Sequence, residues 1–205
     1  GLIDDVDRNR FTILRSLTLL RQLSLHPGLI EPEHAGLGSV KIDTLLEQLQ
    51  EVVDGGHRAL VFSQFTGFLG QVRERLDADG VPYAYLDGTT RNRAAVVRRF
   101  TDGTVPVFLI SLKAGGFGLN LTQADYCFLL DPWWNPATEN QAVDRAHRIG
   151  QTRNVMVYRL IARDTIEEKV VALADRKAEL FRGVMDEGEA FGSTLDADDI
   201  RALLG

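Results

Sequence analysis

Between residues 141 and 151 the chain reads Gln-Ala-Val-Asp-Arg-Ala-His-Arg-Ile-Gly-Gln, which sets two arginines, a glutamine and an acid at helical spacing. With about 100° between successive residues of a helix, Gln141, Asp144, Arg145 and Arg148 share one face, while Ala142, Ala146 and Ile149 form an apolar face suited to burial. Two guanidiniums then project together, with Gln141 beside them. A guanidinium is planar, permanently charged and forked, so a pair held on a packed helix suits the charge that develops on a transferring phosphoryl group, in the manner of arginine fingers. The competing reading is a solvated face on which Asp144 and Arg148 make an i, i+4 pair worth roughly 0.3–0.5 kcal/mol.

A second polar stretch, Ile110-Ser-Leu-Lys-Ala-Gly-Gly-Phe-Gly-Leu-Asn-Leu-Thr122, follows an apolar run and brings Ser111, Lys113 and several backbone N–H groups to a strand end, where an anion could be bound closely. Glycines alone do no more than permit a tight turn. Asp131-Pro-Trp-Trp-Asn-Pro136 leads directly into the arginine segment. Aromatic side chains such as Trp133 and Trp134 can stack on bases, but the bases of a duplex are largely inaccessible, which favours coupling or packing roles. His147 lies between the arginines on another face, where a structural hydrogen bond is expected. Four histidines and one cysteine offer no metal-ligand spacing.

Taken in order, Leu60-Val-Phe-Ser-Gln-Phe65, Tyr85-Leu-Asp-Gly-Thr89, the glycine stretch, the tryptophan stretch, the arginine segment and Val157-Tyr-Arg-Leu160 resemble motifs IV to VI of the Swi/Snf family. These are helicase-related, DNA-dependent ATPases of helicase superfamily 2, and the likeness is to the second of their two RecA-like lobes. The resemblance implies ATP and Mg2+ bound between two lobes, with Arg145 and Arg148 on the γ-phosphate and transition state, and Gln141 positioning the attacking water or sensing the γ-phosphate. It implies Gly116, Gly118 and Asn120 facing the nucleotide cleft, and Ser111 and Lys113 facing the DNA backbone. Ser63 and Gln64 are similar to positions that touch a DNA phosphate, and Trp134 lies beside that surface. Arg91, Arg93, Arg98 and Arg99 depart from the more acidic pattern common in the family.

The sequence contains no G-x-x-x-x-G-K-[ST] phosphate loop and no D-E-x-H-type acid pair. In the family both belong to the first lobe, so Mg2+ is expected to be held there and this chain to be inactive alone. The partners implied are double-stranded DNA, the first RecA-like lobe of the same polypeptide, and a DNA-bound protein target. A strand-separating helicase and a noncatalytic interaction module are the alternatives. The expected setting is intracellular and DNA-associated, in the cytoplasm or nucleoid of a prokaryote or the nucleus of a eukaryote.

These segments need a scaffold, and apolar runs alternating with helical patterns supply one. Ala59–Phe62, Tyr83–Leu86, Val107–Ile110, Tyr126–Leu130 and Val155–Leu160 read as strands, with helices over Thr66–Ala78, Thr90–Phe100 and Pro136–Ile149. The expected fold class is α/β: a RecA-like parallel sheet sandwiched by helices, with helical N- and C-terminal extensions. Ser63, Asp87, Ser111 and Asp131 then fall at the carboxyl ends of strands, where such sheets bind ligands. Outside this core, Arg8–Ser24 and Val40–Val53 read as helices, and His26 as a structural residue ending the first. Thr165 and Glu168 open a capping box for an apolar-striped helix similar in position to the family's brace. Ala197–Leu204 reads as a short terminal helix. The expected organisation is a lead-in over 1–38, the lobe over 39–163, a brace-like helix over 164–184, and a linker with a short helix over 185–205.

At 205 residues and 44% hydrophobic content, the chain can bury one substantial core. Beginning at Gly1, it reads as a fragment. A net charge of -6 conceals an uneven distribution: residues 1–56 carry 5 basic and 9 acidic residues, 57–153 carry 11 and 9, and 154–205 carry 7 and 11. The middle is thus slightly basic, which permits nucleic-acid contact without indicating it. Cys127 is the one cysteine, within an apolar run, and reads as a buried strand thiol in a reducing setting. No stretch suits a membrane span or a signal peptide.

Overall fold

The computed structural model describes residues 6–34, 36–112, 119–144, 146, 154–184 and 195–204. Its centre is a five-stranded parallel sheet of β1 (Ala59–Ser63), β2 (Tyr83–Leu86), β3 (Val107–Ser111), β4 (Tyr126–Leu129) and β5 (Met156–Arg159), in the order β2-β3-β1-β4-β5. The central strands β1 and β3 are buried at every residue, which is why they read as continuous apolar runs. Edge strand β2 alternates instead between half-buried and buried positions.

Helix α2 (Val40–Asp54) precedes the sheet, and α3 (Thr66–Ala78), α4 (Arg93–Thr101) and α5 (Pro136–Val143) connect its strands. Because strand side chains alternate between faces, Ala59, Val61, Val107, Leu109 and Phe128 meet α2 and α3 on one side. Leu60, Phe62, Phe108, Ile110 and Cys127 meet α4 and α5 on the other. The chain moves outward from β1 to β2 through α3, and in the opposite direction from β2 to β3 and from β4 to β5 through α4 and α5. Opposite directions over opposite faces keep one crossover hand, as parallel units require. The direction changes at β1, so the crevice at the carboxyl ends of β3, β1 and β4 is the topological switch point.

Helices α1 (Val6–Leu25), α6 (Ile166–Val184) and α7 (Ala197–Leu204) build a third cluster beside the sheet, in which Ile13 and Leu17 meet Val170, Leu173, Ile200 and Leu203. An ion pair of 2.6 Å between Lys177 and Asp199 joins α6 to α7. Asp196 and Asp199 cap α7 reciprocally, each side chain accepting from the other's backbone N–H at 2.7 and 3.0 Å.

Several expected boundaries move for local reasons. Helix α4 starts at Arg93 rather than Thr90, because the Asp87 carboxylate accepts from Thr89 N and Oγ1 at 2.8 and 2.7 Å and so favours a turn over a helix. Asn92 then caps the helix, accepting from Ala95 N. Helix α5 spans Pro136–Val143, with Asp144 as its C-cap, its N–H on Asn140 O, and Ala146 N turning back to Val143 O at 3.0 Å; the expected continuation over 147–149 lies outside the described residues. Before α6, Thr165 Oγ1 accepts from Glu167 N, but Glu168 reaches Asp164 N rather than completing the expected box at Thr165 N. Asp164 adopts φ 57°, and this left-handed turn brings its N–H round to Glu168. His26 ties the end of α1 to α3 and to the connector before α2: its Nδ1 accepts from Gly28 N and Gln71 Nε2, so the proton sits on Nε2, which donates to Leu37 O at 2.6 Å. Among the described residues, no helix is long and apolar enough to cross a membrane.

Candidate functional site

At the switch point, β1 delivers Ser63 and Gln64, β3 delivers Ser111, and β4 runs directly into Asp131. Ser63 and Ser111 are register partners on adjacent strands. Asp131 is buried and fully engaged: Ser63 Oγ donates to Oδ1, and Gln64 N donates to Oδ2 at 3.2 Å. Gln64 Nε2 also donates to Pro132 O at 3.3 Å, while Ser63 Oγ accepts from Phe65 N at 3.1 Å. Ser111 Oγ is buried without a hydrogen-bond partner.

Two buried cations from outside the sheet converge on the same stretch. Lys41, in the first turn of α2, donates to Leu130 O at 2.7 Å, Leu160 O at 2.9 Å and the Glu167 carboxylate at 2.6 Å. Three acceptors match the three N–H bonds of an ammonium. Glu167, 1% exposed, also accepts from Ala162 N at 2.8 Å. Arg21 of α1, 4% exposed, donates to Pro132 O at 2.9 Å. Its guanidinium carbon lies 4.5 Å from the ring centre of Trp134, 5.4 Å from Phe65 and 5.9 Å from Trp133.

The four charges shift one another. Burial pulls Arg21 down to about 10, with Asp131 and Glu167 opposing, so it stays cationic at neutral pH. Burial likewise lowers Lys41 against the attraction of Glu167. It raises the Asp131 carboxyl against the hydrogen bond from Ser63 and the charge of Arg21, and raises Glu167 against the charge of Lys41.

The site residues expected from sequence are distributed unequally. Ser63, Gln64 and Ser111 come together, but as interior groups, with Ser63 and Gln64 already committed to Asp131 and Pro132. Trp134 is half-buried against the α1, α6 and α7 cluster, and its indole Nε1 is enclosed without a partner. Asn120 is exposed between β3 and β4, and Gln141 is exposed on α5. Lys113, Gly116, Gly118, Arg145 and Arg148 lie outside the described residues. Arg21, Lys41 and Glu167 escaped the sequence reading. Arg21 carried a usable signal, falling in register with buried Ile13, Leu17 and Leu25 on an otherwise apolar helix face.

No free carboxylate for Mg2+ is offered by Asp131, whose two oxygens are both occupied. Among the described residues, the one grouping with metal-ligating geometry, Glu31, Glu33 and His34, sits on an exposed to half-buried turn between α1 and α2, where His34 pairs with Glu31 at 2.9 Å.

The helicase conserved C-terminal domain family matches residues 40–150, from the start of α2 through the arginine segment. The DNA repair protein RAD5A of Arabidopsis thaliana is 40% identical over 170 residues, covering 82% of this chain and 16% of that protein. The Sulfolobus solfataricus SWI2/SNF2 ATPase core in complex with dsDNA superposes with a TM-score of 0.74 at 30% identity, covering 98% of this chain and 44% of that one. The C-terminal domain of the Sulfolobus solfataricus SWI2/SNF2 ATPase gives 0.71 at 28% identity, covering 96% and 82%. The chain thus spans about a sixth of the plant protein and most of the archaeal domain.

Proposed function

Because this chain belongs to the Swi/Snf family of superfamily 2 ATPases, as a RecA-like C-terminal helicase lobe, we propose that it is the second motor lobe of an ATP-driven translocase or remodeller acting on double-stranded DNA. The observation that carries this is its likeness, across 98% of its length, to an ATPase core solved with duplex DNA bound. We assign residues 39–163 to the lobe, 1–38 to a helical lead-in, 164–184 to a brace-like helix, and 185–205 to a linker and terminal helix.

In this proposal Arg145 and Arg148 meet the γ-phosphate of ATP held between the two lobes, and Gln141 orients water or senses that phosphate. Gly116, Gly118 and Asn120 border the nucleotide. Bound ATP supplies the free energy and Mg2+ neutralises its phosphates, the metal being held by the first lobe. Lys113 contacts the DNA backbone, a sequence-independent grip suited to a motor. The burial of Ser63, Gln64 and Ser111 supports a role in shaping the DNA-facing surface from below. Trp134 supports the same surface through packing. The setting is DNA-associated, and a protein bound to DNA is the target class.

An arginine finger contributes about 10³ to 10⁵ in rate. In the two-lobed protein, Arg148→Ala therefore lowers DNA-stimulated ATP hydrolysis by at least about 10³-fold, with affinity for duplex DNA preserved. Undiminished turnover in that variant removes the assignment. The 205-residue chain alone is expected to hydrolyse no ATP, and turnover from a pure preparation overturns the division of labour between lobes.

A further inference from the structure

The stretch from Leu130 to Pro132, which joins β4 to the run leading into α5, is held from three elements. Lys41 of α2 binds Leu130 O, Ser63 and Gln64 at the end of β1 bind the Asp131 carboxylate, and Arg21 of α1 binds Pro132 O. Arg21 is the member that reaches across from the α1, α6 and α7 cluster. One and two turns before it, Leu17 and Ile13 continue the same face into that cluster. A leucine at position 21 would complete the apolar stripe between Leu17 and Leu25, and burying a cation instead is at best neutral for stability. What the guanidinium adds is geometry: a donor aimed at one carbonyl, and a flat face 4.5 Å from Trp134. Trp134 meets it in kind, since its enclosed Nε1 has no partner and the ring serves through its face.

We infer that Arg21 is a positioning residue of the ATPase: by clamping Pro132 O and stacking on Trp134, it makes the packing of α1 against α6 and α7 set where α5 and the arginines beyond it stand. The inference rests on the nucleotide role proposed above for Arg145 and Arg148. Arg21 touches neither nucleotide nor DNA in this scheme and acts through residues 132–135. A displaced α5 leaves ATP binding intact but spoils the alignment of the transition state, so the loss falls on kcat.

The test uses the two-lobed protein and two variants, Arg21→Ala and Arg21→Lys, measuring melting temperature, duplex DNA affinity, and kcat and KM for ATP under DNA stimulation. Arg21→Lys keeps the charge facing Asp131 and Glu167 but loses the fork and the flat face. The expected result is wild-type melting, DNA affinity and KM with kcat lowered about tenfold or more, while Arg21→Ala loses both melting temperature and kcat. Full recovery of kcat in Arg21→Lys overturns the inference, because charge compensation is then the whole role. Failure of Arg21→Lys to fold overturns it too, because Arg21 is then a residue of the fold. Arg148→Ala serves as the reference: if it keeps its turnover the nucleotide reading fails, and if it loses turnover while Arg21→Lys does not, only the positioning role fails.

Discussion

Lys41 and Glu167 show how much a single pair can commit a fold. Each is nearly sealed from water, and the ammonium spends all three donors on Leu130 O, Leu160 O and the carboxylate. Lys41→Met leaves Glu167 buried and unpaired, so it should cost about 3–5 kcal/mol by urea unfolding. Lys41→Met combined with Glu167→Leu should recover most of that loss, and a double variant as weak as the single one would show that the carbonyl contacts dominate. At the same scale, Lys113→Ala in the two-lobed protein should weaken DNA binding and reduce the salt slope by about one unit, as loss of one phosphate contact requires; an unchanged slope rejects the contact. Polar side chains with motif spacing, such as Ser63 and Gln64, were legible in the sequence as a constellation. Their burial was not, because it depends on Asp131 arriving from a strand 68 positions later.

Among the elements, strands were readable because β-branched and aromatic runs of four or five residues have few other uses in a chain punctuated by Asp-Gly turns. Helix ends were readable for Thr66–Ala78 and Ala197–Leu204, but not at the start of α4, where the Asp87 carboxylate binds the Thr89 backbone and delays the helix. The far end of α4 has its own device. Gly103 turns there with φ +88°, and Arg58 NH1 donates to Phe100 O at 3.0 Å, with its NH2 2.8 Å from where a β-carbon on Gly103 would sit. Gly103→Ala combines a left-handed backbone with displacement of that guanidinium and should cost about 1 kcal/mol or more. A thermal melt equal to wild type would mean the turn can re-form without Arg58.

At the scale of the whole molecule, alkaline pH tests two enclosed acids. Cys127 is 0% exposed, and burial pushes its thiol from 9.0 up to about 12. Tyr85 rises from 10.0 to about 12, through burial first and its hydrogen bond to Asp87 second. A raised folded value means stability that is complete below the unfolded pKa and lost as pH climbs toward the folded one. These two groups should therefore subtract stability from about pH 9 upward, so the change in melting temperature above that pH should be less unfavourable in Cys127→Ala than in the unaltered protein. A thiol reagent at pH 8 should leave Cys127 unmodified until urea is added; rapid native labelling would contradict its enclosure. The parallel sheet was foreseeable because each strand announces itself locally. The gathering of α1, α6 and α7 was not, because no local pattern names a helix's partner.

That gathering has a consequence for how the molecule is made. Arg10, near the start of the first helix, hydrogen-bonds Leu195 O across a separation of 185 residues, and the apolar face around Ile13 is covered by Val170, Leu173, Ile200 and Leu203. While the intervening residues are being made on a ribosome, that face of α1 has nothing to cover it. The sheet can assemble early, but this seam waits for its last helix, and a chain cut short before Leu195 would carry it unfinished into the cell.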